Sequence, residues 1–107
     1  GVWAQVGQEI VVEVGLNNFR CSVAMSTDSR TIAVGAPTYG GNGDFAGLVR
    51  VYELSQDTWT QVGDDIDGEA EGDRSGWSVA LSEDGESLAV GAPGGTDKAG
   101  KVLVFQI

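Results

Sequence analysis

Apolar residues in this chain fall in short runs separated by Gly, Asp and Ser, and no run keeps a helical period. "GWSVALS" (76–82), "SLAVGAP" (87–93) and "KVLVFQI" (101–107) are apolar and rich in β-branched or aromatic residues. The "EDG" between the first two is a turn signal, because Asp-Gly accommodates positive φ. Pro93 has no N–H to pair and closes the second run. "GGTDKAG" is a Gly-rich connection to the third. Earlier in the chain, "LVRVYEL" (48–54) is a comparable third strand, and "SQDT" leads from it into a fourth, "WTQVGDDI" (59–66). Short strands bounded by turn residues predict an antiparallel meander.

The pattern is written twice. With the chain shifted by 56 residues, "WAQVGQEI" at Trp3 falls on "WTQVGDDI" at Trp59, "SVAMSTD" on "SVALSED", and "AVGAP" at Ala33 on "AVGAP" at Ala89. From Trp3 to Tyr39, 16 of 37 aligned positions are identical. Chance matching at about one position in fifteen gives roughly two or three. Past the prolines the second copy is three residues shorter, and "AGLVRVYEL" at Ala46 then falls on "AGKVLVFQI" at Ala99. The chain therefore reads as one repeat domain, 1–107, with repeat one over 3–54 and repeat two over 59–107. Four short antiparallel strands per repeat are the unit of a propeller blade. The expected fold is all-β, two four-stranded antiparallel blade-like repeats of a β-propeller, an incomplete ring in one chain. Ala33, Gly35, Ala89 and Gly91 suit places where neighbouring sheets crowd together. A β-sandwich with small core residues ranks second, since a sandwich does not require so close a repeat.

"GWSVALSEDGESLAVGAP…GKVLVFQI" resembles the FG-GAP repeat of integrin α-subunit propellers, in a variant with a short Ser-x-Asp turn and a Trp-x-Gln-x-Gly outer strand. "VGAP" is intact in both repeats, while the Phe-Gly half is divided. Repeat one has Phe19 followed by Arg20, and repeat two has Ser75 followed by Gly76. Cys21 stands where repeat two has Trp77. The resemblance implies a propeller scaffold for protein–protein interaction or adhesion, in an extracellular, cell-surface or organelle-lumen setting. Integrin-type repeats often carry a calcium loop between these strands. Here that loop is only "STDSRT" or "SEDGES", with one acid in the first and too few residues for the six to eight oxygens that calcium needs. The resemblance is therefore to the variant without that loop, and no cofactor is expected.

Charge narrows the partners. Sixteen acidic residues against six basic ones give a net charge of −10. Phosphate binding needs clustered Lys and Arg, so nucleic acid is not expected, nor an anionic membrane surface. No apolar run approaches the length of a membrane span, so no membrane insertion is expected. The chain has no histidine, which removes the commonest general base and metal ligand. No Ser-His, Cys-His or paired-acid arrangement is available, so catalytic residues are expected to be none and the protein is read as not an enzyme. An enzyme built on propeller loops would need residues from other blades. Cys21, the single cysteine, is expected to be a small packed residue.

Two stretches remain as candidate sites. "DDIDGEAEGDRSG" holds six carboxylates from Asp64 to Asp73. Asp65, Asp67 and Glu69 are its weak metal candidates, with calcium the natural cation. Their spacing does not match an EF-hand, and repeat one offers only Glu9 and Glu13, so a solvated acidic loop is the expectation. "GGNGDFAG" (40–47) is a Gly-rich loop without a following helix or Lys, so it is no phosphate cradle. Tyr39 and Phe45 beside it are candidate partner contacts, with aromatics that simply cover the blade edge as the alternative. Trp3 and Trp59 recur at matching positions and are expected to pack on core or blade edge.

Two repeats do not close a propeller, which typically has about four to eight blades. The order of segments, outer strand first and third strand last, suggests that each end complements the next unit. The expected partners are other propeller blades or copies of the chain itself, with a protein ligand or a larger assembly beyond. The missing initiator Met reads as a processed or trimmed piece, and the symmetry lost at Arg20 and Cys21 favours a piece of a longer repeat protein over head-to-tail assembly of copies. The function expected is a non-catalytic FG-GAP-like interaction, adhesion or structural module, and the alternative is a cation- or glycan-binding lectin-like propeller.

Overall fold

A computed structural model of the chain describes residues 1–12, 20–40, 43–94 and 99–107. Phe19, Glu13 and most of the "GGTDKAG" connection lie outside the described residues. The described elements are all strands: β1 (Ser22–Met25), β2 (Thr31–Ala36), β3 (Leu48–Ser55), β4 (Thr58–Gln61), β5 (Ile66–Asp67), β6 (Ser78–Leu81), β7 (Ser87–Ala92) and β8 (Lys101–Gln106). They form two antiparallel sheets. One runs β1-β2-β3-β4 with β5 also on β3, and the other runs β6-β7-β8. No described helix is long and apolar enough to cross a membrane.

The repeat in sequence is a repeat in register. Ser22 pairs with Gly35 as Ser78 pairs with Gly91, and Ala36 with Leu48 as Ala92 with Lys101. Three expectations need correction. "WAQVGQEI" is not a strand, and the described part of the second sheet has three strands rather than four. The expected fourth strand of repeat one, 59–66, is broken in two. Gly63 turns with φ 70°, and β4 and β5 then pair with opposite ends of β3. Arg50, on β3 facing the break, donates to Asp65 from Nε at 2.8 Å and Nη2 at 3.1 Å, while Gln61 donates to it at 2.7 Å. The arginine first, then the glutamine, hold the Asp65 carboxyl below its ordinary range.

Each hairpin turn uses its aspartate as an internal acceptor. In repeat one, Ser26 Oγ and the Arg30 N–H donate to Asp28 Oδ1 at 2.7 and 3.0 Å, and the Thr31 N–H donates to Ser26 Oγ. In repeat two, Ser82 Oγ and the Glu86 N–H donate to Asp84 at the same distances, and the Ser87 N–H donates to Ser82 Oγ. The next residue needs a left-handed backbone. Gly85 supplies it with φ 74°, and Ser29 adopts it with φ 63°. A side chain in that region is strained, so Ser29→Gly is expected to stabilise the protein by about 0.5 kcal/mol after the entropy gained by the unfolded chain. Gly85→Ala is expected to cost more than about 1 kcal/mol, because a Cβ there would also sit 2.9 Å from Thr31 Oγ1. Denaturant midpoints measure both.

These turns also set an acid limit. The Ser26 hydroxyl, then the Arg30 amide, lower the Asp28 pKa, and the Glu86 amide, then the Ser82 hydroxyl, lower that of Asp84. A carboxyl with a lowered folded pKa contributes stability above its unfolded value, and that contribution disappears as pH falls through the folded value. The melting temperature is therefore expected to drop below about pH 4. Asp28→Ala with Asp84→Ala should make that drop shallower, read by thermal melts across the acid range.

The two sheets stack face to face, and the main core lies between them. Ala33, Val49 and Val51 from the first sheet meet Leu88 and Val90 from the second, with Val79, Leu81 and Phe105 packed around them. Cross-strand partners share a face and successive residues alternate. The buried face of the first sheet is thus Ser22, Ala24, Ala33, Gly35, Val49 and Val51. Small residues let the second sheet approach until the Ser22 hydroxyl donates to the Gly76 carbonyl at 2.8 Å. The turns meet as well, with the Thr27 N–H donating to the Glu83 carbonyl at 3.1 Å. This much of the crowding read into Ala33 and Gly35 is present, while Ala89 and Gly91 lie on the far face of the second sheet.

Candidate interaction surface

The two sheets have corresponding pairs of faces, one of small residues and one bulky, and stacking covers one face of each. The small-residue face of the second sheet, carrying Ser78, Ala80, Ala89, Gly91, Val102 and Val104, points away from the core. Every one of these residues is identical to its counterpart on the buried face of the first sheet. Val49 and Val51 are 0% and 4% exposed, whereas Val102 and Val104 are 70% and 72% exposed. The bulky face is open on the other side. Val79 and Leu81 pack into the core, but their counterparts Val23 and Met25 are exposed. They line a groove of about 470 Å³ together with Ile32, Val34, Ile10 and Val12. Each end of the stack therefore presents half of an interface that the molecule also makes internally.

The first residues extend this surface. Gln8 pairs with the open edge of β4, its side-chain amide donating to the Trp59 carbonyl at 2.8 Å and accepting from the Trp59 N–H at 2.9 Å. The Trp59 indole donates to the Val6 carbonyl at 3.0 Å. Trp59 is packed as expected, but Trp3, at the matching position, is fully exposed. Cys21 is likewise exposed rather than packed. Its neighbour Arg20 lays its guanidinium over the Trp77 ring, 4.0 Å from the centroid. The corner where the repeats differ in sequence is thus a cation–π contact between them.

The acidic residues of the stretch are exposed except Asp73, while its backbone is tied to a neighbouring loop. Gly68, Gly72, Arg74 and Ser75 donate backbone N–H groups to the carbonyls of Gly47, Asp44, Phe45 and Ala46. The metal candidates go different ways. Asp65 takes Arg50 and Gln61. Asp67 lies in β5, exposed. Glu69 accepts from Lys101 at 2.6 Å, and Lys101 also sits 3.1 Å from the buried Asp73. Glu69, then Asp73, raise the Lys101 pKa. Among the described residues no three acidic or thiol groups converge as a metal set. The candidate contact aromatics also separate. Tyr39 packs against the Ala36–Leu48 cluster, while Phe45 is half-exposed beneath Arg74, 5.4 Å from its ring centroid.

A twice-written meander, with equal register and stacked through matching faces, defines an all-β repeat protein. Residues 65–105, within the second unit, match the family described as FG-GAP repeat. The first unit shares its turn chemistry and strand register. No curated protein and no solved structure matches the chain.

What the residues missed is the polarity of the stack. The small-residue faces are identical and mark nothing, but the bulky faces differ, and the signal lay there: the open one carries Arg50 and Tyr52 where the covered one has Leu103 and Phe105.

Proposed function

We propose that this chain is a non-catalytic propeller-type repeat module whose role is interaction, adhesion or scaffolding, completed by further blades. The observation that carries the reading is the pair of open faces, each the counterpart of a face buried inside the molecule. A repeat whose unit buries its surface only against neighbours is built to be continued. The acidic groups support a structural reading, because Asp28, Asp84, Asp65 and Glu69 each serve a hydrogen bond or ion pair within the fold. Two of the three carboxylates behind the cation-binding alternative are among them.

The test of the propeller reading joins copies covalently. Head-to-tail fusions of two, three and four copies of the 107-residue chain give four, six and eight repeats. One of them is expected to be a monodisperse closed particle that melts well above the single copy, with a ring visible by electron microscopy. Extended or heterogeneous particles at every length would overturn the propeller. Calcium calorimetry and a glycan array address the alternative, for which heat or binding would be required.

A further inference from the structure

We infer that a second copy of this chain docks head to tail, its first residues completing the second sheet of its neighbour. The inference rests on the repeat packing behind the proposed module and goes further by naming the occupant and its register. Three independent vacancies point the same way.

The first is the open small-residue face with Val102 and Val104 exposed, identical at six positions to the face that a bulky sheet covers inside the molecule. The corresponding bulky face on this chain bears Val23, Met25, Ile32 and Val34, with Arg50 and Tyr52 where the internal one has Leu103 and Phe105. The second vacancy is the edge of β8. Among the described residues β8 pairs only with β7, whereas its counterpart β3 also carries β4 and β5. Shifted by the repeat, β4 becomes Val2–Gln5 and β5 becomes Ile10–Val11. The pairs Leu54↔Trp59 and Val49↔Ile66 then become Ile107 with Trp3, and Val102 with Ile10, across two molecules.

The third vacancy receives Trp3. Trp59 lies against Gly7, where a Cβ would come within 2.7 Å of its ring, and its indole donates to Val6. The counterparts of Val6 and Gly7 are Val62 and Gly63. Gly63 has nearly the same φ, 70° against 72°, yet nothing lies within 4 Å of a Cβ built there. It opens on a groove of about 240 Å³ that reaches Phe105, Gln106 and Ile107 of β8. Trp3 of one copy thus enters the Val62–Gly63 groove of the next, while Val2–Gln5 adds to the β8 edge as in β-strand addition. The contact is heterologous, so it builds a ring or a filament and not a two-fold dimer.

The two halves of such a contact can be broken separately. A head-broken variant carries Trp3→Ala and Val23→Asp, and a tail-broken variant carries Val102→Asp and Val104→Asp. All four side chains are exposed, so each variant is expected to melt no lower than a dilute, unassociated wild-type sample. By light scattering, the wild-type chain should gain mass with concentration, and each variant alone should self-associate at least about tenfold more weakly. Mixed together, the variants should give a one-to-one dimer and nothing larger, because each retains the half that the other lacks. A wild-type chain that stays monomeric, or a mixture without the dimer, overturns the second copy as occupant. A closed particle from the covalent fusions would then still stand, so failure here is separate from failure of the propeller.

Discussion

Gly35→Ala is expected to cost about 3 kcal/mol or more, while Gly91→Ala, the same change at the matching position, costs less than about 1. Gly35 lies against the backbone of Gly76, which leads into β6 of the second sheet. A Cβ there would overlap the Gly76 carbonyl oxygen, stand 2.9 Å from its carbonyl carbon and 2.7 Å from Ser22 Oγ. Backbone atoms of a neighbouring sheet cannot turn aside, so the sheets must separate, and the Ser22–Gly76 hydrogen bond and the Ala33–Val90 packing loosen with them. Around Gly91 the close atom is the Ser78 hydroxyl, and the next atoms are at 3.7 Å. That hydroxyl can rotate into the open face. Chemical denaturation of the two variants at low protein concentration measures the difference, and equal losses would contradict the packing described. If the chain docks as inferred, Gly91→Ala should weaken association although it spares the single molecule.

A similar asymmetry holds for the tryptophans. Trp59→Ala is expected to cost about 3 kcal/mol, at the lower end for a large buried aromatic, because one side of the ring rests on a chain segment rather than a full core. Its ring is 8% exposed, covers Gly7 and donates to Val6. Without it, the Gln8 amide is left to hold the first residues to β4 among the described contacts, so cleavage by a protease before residue 9 should become fast. Trp3→Ala should leave the unfolding midpoint of the dilute chain unchanged, since that ring is 100% exposed. For a domain of ordinary stability, about 5–15 kcal/mol, loss of Trp59 or an added methyl at Gly35 removes a large share of the total. Unfolding curves and a timed digest of the two tryptophan variants read both effects.

Much of the local structure was legible from the residues. Asp-Gly and Ser-x-Asp placed the hairpin turns, and the apolar runs placed β3, β6, β7 and β8 to within a residue or two. The fourth strand of repeat one was legible as a whole, but its break was not. Arg50 and Asp65 are fifteen residues apart in sequence, and only pairing on β3 makes them neighbours. "WAQVGQEI" failed as a strand for a related reason. It carries the same pattern as β4, but strand structure needs an edge to pair with, and among the described residues of a single molecule this segment has side-chain contacts instead of strand pairing, the Gln8 amide on the Trp59 backbone and the Trp59 indole on the Val6 carbonyl. The acidic run read as solvated, and its acidic residues are exposed except Asp73, but its tethering was not legible. In the fold its backbone is tied to the loop around Phe45, and Lys101, from β8, brings a cation to Glu69 and Asp73.

The sequence by itself determined the repeat, the identity of its strands and the chemistry of its turns, because these depend on residues close together along the chain. Tertiary structure alone decided which copy of each residue is covered. Val49 and Val102 are the same amino acid at the same place in the repeat, as are Trp59 and Trp3, yet one of each pair is buried and the other lies open. Burial is set by what lies opposite a face. A repeat specifies its own faces twice over, and only the order in which the sheets stack settles which of them meets water.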